Sequence, residues 1–108
     1  MYLSFQQRLN EGFKKVRNRG YFAKQRHSCC TSCGIYELPD EVKQDGKFVF
    51  YHNQDTKCVK RNWVYLTWSG NGEEIRKCFL EAGLAVQWDG TEDQKIKVAL
   101  APTDVIFN

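Results

Sequence analysis

Proline occurs only twice and methionine once in 108 residues, and no glycine- or proline-rich stretch interrupts the chain. That composition excludes collagen-like repeats, long flexible linkers and low-complexity tracts. Long apolar runs are also missing, and nothing comes near the ~20 consecutive apolar residues of a membrane span. Residues 1–7 lack the apolar core of a secretory signal peptide. The expectation is a cytoplasmic protein without a membrane segment. Charge of one sign is scarce too. Sixteen Lys and Arg face thirteen Asp and Glu, and a net charge of +3 is too small to imply a nucleic-acid partner.

What remains is apolar mass and thiols. Hydrophobic residues make up 42% and aromatics 14%, enough for one globular core over residues 1–108. The positive charge is concentrated at the start: through His27, seven basic residues stand against Glu11 alone. That bias reads first as the solvated face of a helix, with an electrostatic footprint for a partner as the alternative.

Periodicity places the elements. Phe5, Leu9, Phe13 and Val16 recur at helical spacing behind Ser4, a candidate N-cap, and Gly20 follows as a stop, so a helix is expected over 5–18. Tyr21 and Phe22 open either a short strand or an irregular crossing. A short helix is expected within 33–42, interrupted or started by Pro39. Residues 48–51 and 64–68 are aromatic and β-branched and read as strands. Ser69-Gly70-Asn71-Gly72 reads as turn and cap chemistry, since it lacks the lysine of a phosphate-binding loop. A second amphipathic helix follows, with Glu73 and Glu74 in its first turn and Ile75, Cys78, Phe79 and Ala82 on one face. Leu84, Val86 and Trp88, then Ile96, Val98 and Leu100, alternate across the turn signal Asp89-Gly90. The expected fold is α+β: a two-layer sandwich with a largely antiparallel sheet of about four strands and helices packed on one face.

Five cysteines are an odd number, which argues for free thiols or a metal over a disulfide framework. Cys29, Cys30 and Cys33 fall within five residues, and Cys30-x-x-Cys33 has the spacing that lets two sulfurs grip one tetrahedral ion. No second Cys-x-x-Cys exists, so further ligands must come from Cys29, His27, His52 or Cys58. Zinc is the cofactor such a thiolate and imidazole shell suits. The alternative is a thiol-dependent enzyme with Cys30 or Cys33 as nucleophile, His52 as base, Asp55 as its orienter and Gln54 as an oxyanion donor. Cysteines 29 and 30 can also be read as small core residues, and Cys78, on the apolar helix face, as one. In a third reading the thiols are incidental and the chain is an inhibitor- or immunity-type domain that binds a protein partner.

Cys29-Cys30-Thr31-Ser32-Cys33-Gly34, Phe50-Tyr51-His52-Asn53-Gln54-Asp55-Thr56 and Trp88-Asp89-Gly90-Thr91, in this order, resemble a family of uncharacterised, mostly bacterial small domains. The resemblance covers most of the chain. It implies no activity, cofactor or partner, but it favours a site built from Cys29, Cys30, Cys33, His52, Gln54 and Asp55 and leaves Cys58 outside. The reading carried forward is a small cytoplasmic binding or interaction module with a Cys/His site that takes zinc.

Overall fold

The computed structural model describes residues 3–91 and 94–100. Helix α1, Phe5–Asn18, begins at a capping box. The Ser4 hydroxyl accepts from the Gln7 amide at 3.2 Å, and the Ser4 amide donates to the Gln7 side chain at 2.9 Å. Its Phe5, Leu9, Phe13 and Val16 are buried, as the periodicity requires. Helix α5, Gly72–Glu81, is capped by Asn71, whose side chain accepts from the Glu74 amide, and it buries Ile75, Cys78 and Phe79. The Phe13 and Phe79 rings meet edge to face at 5.5 Å and join the two long helices. Burial of these side chains against the sheet is the main favourable contribution to the fold, on the order of 1.5–3 kcal/mol for each large apolar group.

Five strands form one sheet in the order β1 (Phe22–Lys24), β2 (Phe48–Phe50), β3 (Trp63–Ser69), β5 (Ile96–Leu100), β4 (Leu84–Gln87). Only β1 and β2 are parallel neighbours; every other pairing is antiparallel. The expected α+β architecture is therefore present, with four of the strands where the aromatic and β-branched runs and the alternation put them. The fifth, β1, is the segment whose local pattern left strand and irregular chain open. The helix expected within 33–42 is two short ones, α2 (Thr31–Tyr36) and α3 (Asp40–Asp45), divided at Leu38 and Pro39. Proline lacks the amide that would continue the first and suits the start of the second. Helix α4, Thr56–Val59, follows a 3-10 turn at Asn53–Asp55.

Handedness sets which face each helix takes. The chain crosses from β1 to parallel β2 through α2 and α3, and from β3 to β4, also mutually parallel, through α5. Both crossovers step the same way across the sheet, but β3 and β4 run opposite to β1 and β2. Right-handed connections then require α2 and α5 on opposite faces. The packing agrees: Val49, Val64 and Leu66 join the core with α1 and α5, whereas Gly34 of α2 lies against Phe50, whose side chain points the other way. The two long helices thus share one face, as expected, and α2 is an addition on the other.

The basic stretch is only partly a solvated face. Arg8 is buried, and its guanidinium donates to the carbonyls of Leu3 at 3.0 Å and Gly83 at 2.8 Å. Arg17 donates to the Ala23 carbonyl at 2.8 Å. Two of the seven basic groups are structural ties between α1 and the segments beside it.

Candidate metal centre

The carboxyl ends of β1 and β2 lie side by side, and their pairing continues past the strands. The His27 amide donates to the Tyr51 carbonyl at 2.8 Å, and the Asn53 amide donates to the Ser28 carbonyl at 2.9 Å. The cysteine turn and the His-x-Gln-Asp segment, about twenty residues apart in sequence, are therefore hydrogen-bonded neighbours. Crevices outside the carboxyl ends of parallel strands are where open α/β sheets place ligands.

The turn itself is held in an uncommon backbone path. Arg26 and Ser28 adopt positive φ of 54° and 69°, a region that non-glycine residues enter at a cost of order 1 kcal/mol or more. Two contacts hold the turn against that cost. The imidazole of His27 is buried, makes a 2.8 Å hydrogen bond with the Gly34 carbonyl through Nε2, and stands edge-on to Phe22 and Phe50. The Ser28 hydroxyl donates to the Glu37 carboxylate at the far end of α2. Gly34 is required here, because a Cβ at that position would fall 2.6 Å from Phe50 Cε1. His27, weighed from the sequence as a ligand, is instead the pillar under α2, with Nε2 engaged.

On that support the sulfurs of Cys29, Cys30 and Cys33 lie within 4.8 Å of one another, and Cys29 Sγ is 4.0 Å from Cys30 Sγ. Tetrahedral zinc with Zn–S bonds of about 2.3 Å separates its sulfurs by about 3.8 Å. The observed spacing is close to what an ion needs. Cys29 is exposed and the other two are half-buried, so none fills core space and the packing reading of Cys29 and Cys30 fails. The thiols also interact with one another. Hydrogen bonding from the Cys33 amide and thiol, with the Cys29 thiol and Ser32 amide adding to it, holds Cys30 below the ordinary thiol pKa. Cys33, facing the sulfurs of Cys29 and Cys30, is pushed up to about 12. One negative charge is thus favoured at Cys30 and further charges are resisted, a balance that a bound cation reverses.

His52 follows β2 and caps the 3-10 turn. Its Nε2 lies 3.3 Å from Asp55 Oδ2, and its side chain is only 12% exposed. Its Nδ1 is buried without a hydrogen-bond partner, alone in this respect among the described residues. Gln54 is exposed on the same turn. No described His, Asp or Glu joins the three sulfurs at their mutual spacing. Cys58 lies on α4 outside the group, and Cys78 is buried in the core, where desolvation raises its pKa. The roles of His27 and Glu37 escape sequence reasoning. Each acts through a contact with the cysteine helix, and no spacing rule announces such a contact.

An α+β sheet with three thiols gathered at the mouth of its parallel pair defines a small cysteine-cluster domain. The chain belongs to the family described as Domain of unknown function (DUF6891), whose model matches residues 5–102. No curated protein and no solved structure matches it.

Proposed function

We propose that this chain is a metal-binding module in which Cys29, Cys30 and Cys33 hold one zinc ion and His52 supplies the fourth ligand through Nδ1. The observation that carries this reading is the convergence of three sulfurs within 4.8 Å on one turn. Support for His52 comes from its two nitrogens. Nε2 faces Asp55, and Nδ1 has no partner, which is how a carboxylate orients a metal-bound imidazole and fixes its tautomer. Binding would draw His52 toward the sulfurs. Gln54, exposed beside it, would line the approach. A reducing cytoplasm keeps the thiols available, and the role is structural or regulatory.

A thiol-dependent enzyme is the second reading, and the His52–Asp55 pair at 3.3 Å is what favours it. Metal content separates the two. Untagged protein purified without chelator should carry one zinc per chain, and cobalt substitution should give sulfur-to-cobalt charge-transfer bands. Cys33→Ser should abolish both while leaving the far-ultraviolet circular dichroism intact. Asp55→Asn should weaken the site by roughly 10- to 100-fold. Metal-free, folded protein that gives no cobalt bands would overturn the metal reading.

A further inference from the structure

The second crossover has a mouth of its own, at the carboxyl ends of β3 and β4. There Trp68 is the next-to-last residue of β3, β4 runs into Trp88, and α5 begins at Gly72. An open cavity of about 430 Å³ lies between them, lined by Trp68, Gly70, Asn71, Gly72, Glu73, Trp88 and Gly90. The two indoles meet at 89° with centroids 5.4 Å apart and form two walls of a corner. Gly72 is the floor of that corner: a Cβ there would collide with Trp88 Cη2 and come within 2.9 Å of Trp68 Cη2.

The rings are fixed in place and their donors are used. Trp68 Nε1 donates to the Gln94 carbonyl at 2.9 Å, and Trp88 Nε1 donates to the Thr91 carbonyl at 2.8 Å. The Trp-Asp-Gly-Thr segment is a strap built for this purpose. Asp89 accepts from both the amide and the hydroxyl of Thr91, at 2.9 and 2.7 Å, and so holds the carbonyl that holds the indole. What the tryptophans still offer a ligand is therefore π surface. The charged side chain on the described wall is the Glu73 carboxylate. Ligand acceptors would find no donor on either ring, whereas a cation would find two aromatic faces and a carboxylate.

We propose that this corner binds an organic cation, an alkylated ammonium or a guanidinium, by cation–π contact with Trp68 and Trp88 and charge pairing with Glu73. The carboxylate of Glu73 already takes Arg76 Nη1 at 2.9 Å on an exposed side of α5; with two oxygens it can accept a second donor. The cation arrives either as a free small molecule or as the side chain of a methylated lysine or arginine on a peptide. None of the three clustered thiols lines the site.

Titration of the full chain in a Trp63→Phe background leaves Trp68 and Trp88 as the only indole reporters. Choline is the free probe, 3,3-dimethylbutanol its neutral isostere, and short peptides bearing trimethyl-lysine, arginine or alanine are the third arm. The expected result is saturable quenching by choline or by a cationic peptide, with the isostere weaker by about tenfold or more. Tighter binding of choline identifies a free metabolite, and tighter binding of a cationic peptide identifies a peptide ligand. Glu73→Gln, an exposed change that keeps the fold, should weaken the cation severalfold and leave the isostere unaffected. Trp88→Leu should abolish binding. Equal affinity for choline and its isostere, or no saturation by any cation, would overturn the proposal.

Discussion

His27 Nε2 lies 2.8 Å from the carbonyl oxygen of Gly34, seven residues along the chain, and this bond fastens the cysteine helix to the sheet. The carbonyl accepts, so the ring carries its proton on Nε2 and cannot offer that nitrogen to an ion. Only glycine fits at position 34, because Phe50 occupies the space a side chain would need.

Gly34→Ala should therefore destabilise the protein by about 1–3 kcal/mol, the usual cost of overpacking. Urea denaturation reads the loss. Phe50→Leu combined with Gly34→Ala should recover part of it by making room, and a double variant no better than Gly34→Ala alone would contradict the packing account.

Removal of the proposed ion should not unfold the sheet. The three clustered sulfurs lie outside the core, which α1 and α5 close without them. A chelator is expected to lower the melting temperature and to change amide signals chiefly within residues 26–37 and 51–58. Global unfolding on chelation would show that the cluster holds more of the fold than its position implies.

Arg8 should matter more than a surface arginine. Its guanidinium bonds the carbonyls of Leu3 and Gly83 in a buried setting, and hydrogen bonds from a charged donor are worth about 1.5–3 kcal/mol. Arg8→Met should cost an amount in that range by denaturant titration. Arg8→Lys should recover little, because an ammonium lacks the fork that spans two acceptors.

Tyr51 and Tyr21 should titrate above the ordinary phenol range. Burial pushes both phenols up; for Tyr51 the nearby Arg26 offsets part of this, and for Tyr21 the Asn71 backbone does. A folded pKa above the unfolded value means that the neutral phenol stabilises the fold fully below about pH 10. That contribution disappears as pH rises through the folded value. Ultraviolet titration should show late phenol ionisation that Tyr51→Phe and Tyr21→Phe each diminish, and Tyr51→Phe should reduce the loss of stability at alkaline pH.

How much of this was legible in sequence follows the range of the interactions. Helices α1 and α5 were, because Ser4, Asn71 and the three-to-four spacing of Phe5, Leu9, Phe13 and of Ile75, Cys78, Phe79 are local signals. The aromatic and β-branched run of β3 and the alternation of β4 and β5 were legible for the same reason. Strand β1 was not: it has three residues, and its partner is β2 across two intervening helices. The candidate site divides likewise. Cys29, Cys30 and Cys33 announce themselves by spacing, whereas the backbone adjacency of their turn to the His52 segment arises from the β1 and β2 pairing, which no short window contains.

That crossover geometry also fixes how the two mouths respond to change. Because the β1 and β2 pair and the β3 and β4 pair run in opposite directions, the two mouths open at opposite strand ends, yet the register keeps them close. Phe50 at the end of β2 pairs with Thr67, one residue from Trp68, and Lys95, next to the Gln94 that takes the Trp68 indole, donates to Thr31 beside Cys30. Groups joined through shared partners couple in free energy by about 0.5–3 kcal/mol instead of adding. Sequence drift at the thiol mouth is therefore felt at the tryptophan corner, through Thr31 and Lys95.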